Sequence, residues 1–234
     1  MIWGMADKQV PEFQPDGGRR PRLGILFSGR GSNCQAIATA VANGQLQAEI
    51  GLLVSNREQA EGVAWARQRQ LPLRVIPSAR REREDYDREV VAVLRAQGVE
   101  WVCLAGFMRL LSAYFISAYR NRILNIHPSL LPAFPGLEAQ RQALEYGVRY
   151  TGCTVHLVDE TLDGGPIIAQ AVTPVRDEDD EAALAARILG QEHRLYVEAL
   201  QLMLSGNYRL QGRRLLRSSS PASLIAGAAP SLKC

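Results

Sequence analysis

Asn125 and His127 are the residues whose types and spacing most directly imply chemistry. They lie in Asn125-Ile126-His127-Pro128-Ser129-Leu130-Leu131-Pro132, directly after the apolar run of Ile123 and Leu124. Side chains two apart on a strand share a face, so a strand ending here projects an amide donor beside an imidazole that titrates near neutral pH. Such a pair suits the developing oxyanion of an acyl-type transfer. An Asn–His pair that merely closes a strand end is the structural alternative. Asp163, in Leu162-Asp163-Gly164-Gly165-Pro166, is either a turn aspartate bonding its own backbone or a carboxylate brought beside His127. In the second case it favours the charged imidazole and orients the ring for proton transfer. His156, in the alternating run Thr154-Val155-His156-Leu157, reads as a sheet residue, and His193 falls in a C-terminal helix.

A second constellation is Ser28-Gly29-Arg30-Gly31-Ser32-Asn33. It follows an apolar run and opens a helical pattern, where glycines permit a tight turn and helix N–H groups favour an anion. The dinucleotide fingerprint asks for a third glycine, and Cys34 stands there. The P-loop asks for a lysine, and the only lysines are Lys8 and Lys233. A phosphate turn without a nucleotide signature is therefore expected, against the plain alternative of an ordinary βα turn. The same shortage of lysine argues against Schiff-base chemistry.

Composition narrows the partners. A net charge of +3 over 234 residues, without a basic run among aromatics, gives no case for nucleic acid. The four cysteines form no Cys-x-x-Cys pair and read as reduced thiols, no run is long enough to span a bilayer, and the N-terminus lacks a secretion signal. A cytoplasmic setting is the expectation. No metal-ligand spacing is present, so no metal is expected.

The elements that must carry these residues follow from periodicity. Strands are expected at Leu23–Phe27, Ile50–Ser55, Leu73–Ile76, Trp101–Ala105 and Ile123–His127, alternating with helices at Asn33–Asn43, Gly62–Gln70, Arg83–Gln97 and near Ser112–Tyr119. That alternation predicts an α/β class: a Rossmann-like, doubly wound, mostly parallel sheet. Tyr150–Val158 and Ile167–Val175 predict added antiparallel strands in the C-terminal half. Asp179 or Asp180 caps a long terminal helix reaching about Leu204. Residues 1–21 read as a flexible leader, 22–210 as one domain and 211–234 as a loose tail. Two prolines so near a site make Leu131–Pro132 a candidate cis peptide.

Taken in order, Phe27–Asn33, Val54-Ser55-Asn56, Leu104-Ala105-Gly106-Phe107-Met108-Arg109, Asn125–Pro132, Phe134-Pro135-Gly136-Leu137, Asp163–Pro166 and Gln191-Glu192-His193 resemble the folate-dependent phosphoribosylglycinamide formyltransferases of purine synthesis. The resemblance covers about residues 22–210. It implies transfer of a formyl group from 10-formyltetrahydrofolate, a cosubstrate, to the amine of 5′-phosphoribosylglycinamide. It implies Asn125, His127 and Asp163 as the catalytic trio, and Gly31, Ser32, Asn33 and Glu192 as ribotide-binding residues. It further implies a folate site of Arg83, Met108, Arg109, Leu110, Leu111 and Asn125 with the loop Asp159, Glu160, Thr161 and Leu162. Small molecules are then the partners, with neither nucleic acid nor membrane, and a homodimer is an open option.

Glu138 and Gln140 stand where some relatives carry histidines, Leu189 where a polar or basic residue is frequent, and Ala133 where a basic one is frequent. Arg141 is a candidate to compensate. Formyltetrahydrofolate hydrolases, with water as acceptor, carry an added N-terminal domain for which residues 1–21 are too short. Methionyl-tRNA formyltransferases need a tRNA-binding domain. An idle folate- or phosphate-binding protein would not require the trio.

Overall fold

The computed structural model describes residues 18–218. The elements run β1 (Arg22–Phe27), α1 (Ser32–Ala42), β2 (Glu49–Ser55), α2 (Glu61–Gln68), β3 (Leu73–Val75), α3 (Arg83–Ala96), β4 (Trp101–Leu104), α4 (Ala113–Ala118), β5 (Ile123–His127), α5 (Ala139–Tyr146), β6 (Tyr150–Leu157), β7 (Ile167–Pro174), α6 (Glu181–Ser205), β8 (Tyr208–Gln211) and β9 (Arg214–Arg217). Strand β1 sends Leu23, Ile25 and Phe27 into one apolar layer and Leu26 into the other. Burial on both faces is what a central parallel strand requires.

The strands form one sheet in the order β3-β2-β1-β4-β5-β6-β7-β9-β8. From β3 to β5 the pairs are parallel; β6 then runs antiparallel to β5, and β7 antiparallel to β6. The chain leaves the β3 edge and returns beside β1 as β4, which makes the β1–β4 junction the topological switch point. The expected doubly wound sheet with antiparallel additions is therefore the architecture of this chain. Helix α6 packs its Leu184, Ile188, Leu195, Tyr196 and Leu200 into the layer that holds α1, while α3 and α4 cover the opposite face. The buried Tyr196 hydroxyl lies 3.1 Å from the Leu104 carbonyl and 2.9 Å from that of Leu124, tying α6 to the ends of β4 and β5. Each fully buried side chain of this size contributes about 1.5–3 kcal/mol of transfer free energy.

One helix is added to the expected elements and one boundary is corrected. Residues 139–146 form α5, which the periodicity reading passed over. Its start is hidden because Glu138 enters the helix with a left-handed φ of 58° and no side-chain cap. The boundary at 210 falls inside a hairpin: β8 and β9 pair antiparallel across Gly212, whose φ is 59°, and β9 touches β7 in parallel at Ile167 and Arg214. Residues 211–217 thus belong to the sheet rather than to a loose tail. A turn that needs positive φ gives glycine its advantage, and here the glycine sits between strands dominated by arginine and leucine. The leader up to residue 17 and the tail from 219 lie outside the described residues. The Leu131–Pro132 peptide is cis. No helix among the described residues is long and apolar enough to cross a membrane.

Candidate active site

Antiparallel pairing of β5 with β6 sets Asn125 opposite His156 and His127 opposite Thr154. This register makes His156 part of the site. Its Nδ1 lies 2.9 Å from the Leu157 carbonyl and its Nε2 lies 3.1 Å from Asn125 Nδ2. A carbonyl only accepts, so Nδ1 carries the proton and donates to Leu157. Nε2 of the neutral ring then accepts one of the two amide hydrogens of Asn125, leaving the other for a ligand. Burial, the leading influence, holds the His156 pKa below its ordinary value, with the Leu157 hydrogen bond and then Asp163 opposing, which favours this neutral form. The period-two spacing of Thr154 and His156 on a strand beside β5 was the available signal, but it became specific only with the register.

His127 is buried, and its Nε2 donates to the Phe134 carbonyl at 2.8 Å. Its Nδ1 lies 3.4 Å from Asp163 Oδ2. Both neighbours are acceptors, so the arrangement suits a ring with a proton on each nitrogen. The Asp163 carboxylate also receives the Gly136 N–H at 2.8 Å, and its other oxygen lies 3.7 Å from His156 Nε2. Two segments distant in sequence are thereby drawn onto the end of β5. Phe134, Glu138 and Asp163 all have positive φ, at 53°, 58° and 48°. Non-glycine residues in this region cost about 1–3 kcal/mol each and persist only where surroundings hold them. At Asp163 the hold is visible in the next turn. A Cβ on Gly165 would fall 1.8 Å from the Leu157 carbonyl oxygen, so the loop lies directly against β6.

The glycine turn opens α1. Gly31 is the N-cap with φ 67° and ψ 29°, and no side chain caps the helix. Its first N–H groups are thus offered to an anion, aided by the helix dipole. Behind the turn, Asn33 donates to the Glu192 carboxylate at 2.7 Å, linking α1 to α6 over 159 residues. Burial raises the Glu192 pKa, with the Asn33 bond opposing. The expected phosphate-turn residues and Glu192 are therefore brought together.

The residues expected at folate are arranged around the same strand ends. Met108 and Leu110 are exposed apolar side chains, as is Leu162 on the 159–163 loop. The Met108 N–H donates to Ser28 Oγ at 2.8 Å, joining the β4–α4 loop to the glycine turn. Leu111 packs on the α3–α4 layer. Asp159 accepts from the Thr161 N–H at 2.8 Å, and Glu160 is exposed beside it. Arg83 is exposed at the start of α3. The Arg109 guanidinium donates to the carbonyls of Ser78, Arg81 and Glu82 at 3.2, 3.0 and 3.1 Å and lies over the Tyr86 ring. Its main observed work is to pin the β3–α3 loop. Arg141, the candidate compensating cation, is instead paired with Glu138 and Glu181 at 3.1 Å each.

Cys34, Cys103 and Cys153 are buried and free, with burial pushing Cys34 and Cys153 up to about 12. Thiols held protonated in this way are not nucleophiles.

The sequence profile described as formyl transferase matches residues 22–200. Among characterised relatives, the trifunctional purine biosynthetic protein adenosine-3 of Drosophila melanogaster is 45% identical over 191 residues, covering 80% of this chain. The chain spans only 14% of that protein's length. The phosphoribosylglycinamide formyltransferase of Escherichia coli (strain K12) is 43% identical over 187 residues, which cover 80% of this chain and 88% of the bacterial one. Glycinamide ribonucleotide transformylase 1 of Symbiobacterium toebii superposes with a TM-score of 0.83 at 44% identity, covering 91% of this chain and 99% of the other.

Proposed function

The chain belongs to the formyl transferase family, and from that premise we propose that it moves the formyl group of 10-formyltetrahydrofolate onto the amine of 5′-phosphoribosylglycinamide, a step of purine synthesis. The observation that carries the reading is the approach of Asp163, from the loop between β6 and β7, to His127 and Asn125 at the end of β5, near an uncapped glycine turn. A donor of that chemistry needs an oxyanion site and a proton source, and a ribotide needs an anion turn; the chain has each.

In the proposed step, the substrate amine attacks the formyl carbon. A carbon–nitrogen bond forms and the formyl oxygen becomes negative. The second amide hydrogen of Asn125 meets that oxygen, its first being occupied by His156. The His127 ring is anchored through Nε2 on the Phe134 carbonyl, so Nδ1 is the nitrogen that serves the reaction. Its contact with Asp163 is an ion-pair distance of 3.4 Å rather than a tight hydrogen bond, which leaves the Nδ1 proton available to the oxyanion. Collapse then breaks the bond to the folate nitrogen. That nitrogen gains a proton and the former amine loses one, with His127 and Asp163 as the groups that can pass it. Placement of both substrates supplies much of the acceleration. Glu192 and Asn33, with the backbone of Gly31 and Ser32, would hold the ribotide. The Met108–Leu111 segment, Leu162 and the Asp159–Thr161 turn would face the pterin, with Arg83 toward the tail. The buried, unpaired thiols are compatible with a reducing, cytoplasmic setting.

The test is turnover with both substrates, reading formylated ribotide and free formate separately. The parent is expected to formylate the ribotide, and His127→Ala to lower kcat by about 10⁴-fold. Unchanged turnover in the variant would sink the mechanism. Formate release without formylated ribotide would favour water as the acceptor.

A further inference from the structure

We propose that a cleft at the carboxyl ends of β1, β2 and β3 is a second ligand site, one for a small phosphorylated sugar. It offers about 800 Å³, open to solvent, and is lined by residues 28–30, 56–61, 77 and 79. That volume lies within the range of small-molecule sites, and its place outside the ends of parallel strands is where open α/β sheets receive ligands. None of Asn125, His127, His156, Asp163 and Glu192 lines it. The sheet order puts it on the far side of β1 from β4 and β5.

Its chemistry points to one class of ligand. Asn56 is only 6% exposed; its Nδ2 donates to Ser78 Oγ at 3.0 Å, while its buried Oδ1 has no partner. A buried acceptor left unpaired calls for a donor such as a hydroxyl. Arg30 and Arg57 also line the cleft, and neither guanidinium has a carboxylate partner among the described residues. Two free guanidinium groups suit a phosphate. A bare phosphate, however, would also face Glu58 and Glu61, which line the same cleft. A sugar that carries the phosphate resolves the mixture: the anion lies toward Arg30 and Arg57, and the hydroxyls donate to Asn56 Oδ1 and to the two carboxylates. Val54-Ser55-Asn56, a motif without an assigned task in formyl transfer, thereby acquires one.

The experiment is a calorimetric titration of ribose 5-phosphate into the full chain, with phosphoribosylglycinamide present at saturation so that the glycine turn is occupied. One equivalent should bind, and inorganic phosphate and ribose should each bind at least ten-fold more weakly. Arg57→Gln should weaken ribose 5-phosphate at least ten-fold while leaving formyl transfer unchanged in its absence. Asn56→Ala should weaken the sugar phosphate and leave inorganic phosphate unaffected. Absence of binding would overturn the proposal, as would equal binding of phosphate and sugar phosphate or unaltered binding by Arg57→Gln. Because Arg57 is exposed, its variant remains a fair test should Asn56→Ala fail to fold. If the acceptor ribotide itself does not bind, the comparison of parent with Arg57→Gln still reads this site alone.

Discussion

The His127 cluster and the Gly31 turn lie two strands apart on the same edge of the sheet and are held by different means. Around His127, side chains from β5, β6 and the Asp163 loop meet one another and the backbone of Phe134 and Gly136, and the non-glycine residues Phe134 and Asp163 accept left-handed backbone to let them meet. Around Gly31, one glycine takes the left-handed turn and the groups on offer are backbone N–H, with a single long-range bond from Asn33 to Glu192 behind them. One region depends on where side chains point, the other on where the main chain points. Truncating a side chain should therefore damage rate in the first and binding in the second.

The strongest challenge to that contrast comes from Asp163→Ala combined with His127→Ala. Each alone should lower kcat by about 10³- to 10⁴-fold, and the pair should be little worse than the more damaging single change, because the two act as one unit. Additive losses would show that they work separately. Next comes His156→Phe, which removes the acceptor that orients Asn125. A loss of about 100-fold in kcat with a nearly constant KM is expected, since displaced catalytic groups act on rate; a loss carried by KM instead would break the comparison. On the other side, Gly31→Ala forces a side chain into left-handed backbone at about 1–2 kcal/mol. The acceptor KM should rise about tenfold with kcat retained, as for an interaction equal in ground and transition states.

The smallest expected effect is one of stability. Burial raises the Glu192 pKa, so the folded chain holds that proton to higher pH than the unfolded chain does. The resulting stabilisation is complete below the ordinary glutamate range and is lost as pH rises through the raised value. Glu192→Gln does not titrate. The Tm of the variant relative to the parent should therefore climb as pH rises from below the ordinary glutamate range, measured without substrates. A difference independent of pH would mean that Glu192 is adequately solvated or paired as an anion.

How legible each region was follows from the range of its contacts. The glycine turn was readable because a strand, two glycines and a helix start lie within a dozen residues. Asn125 and His127 were readable from a period of two. His156 was not, since its role depends on which residue of β5 it opposes, and a shift of one position would turn it to the other face. Glu192 lies 159 residues from Asn33, and local pattern says nothing of that pairing; only the family resemblance pointed to it. Helix α5 and the β8–β9 hairpin escaped because each is short and opens or turns on left-handed backbone, at Glu138 and Gly212. Arg141 is proposed from its charge alone, and its pairing with Glu138 and Glu181 is a contact that local sequence does not reveal.

Gly165 takes no part in any proton or ligand contact discussed above, yet it sets a limit on what a mutational library of this chain can contain. With 1.8 Å between a would-be Cβ and the Leu157 oxygen, even alanine is excluded unless the loop lifts from β6. Lifting it would carry off Asp163, two residues away. In a saturation screen scored by growth on formyl transfer, position 165 should tolerate fewer alternatives than Leu162, which is exposed on the same loop. An intolerant position in such a screen would mark the hinge pin of the loop, and a reader of the scores alone would mistake it for a reacting group.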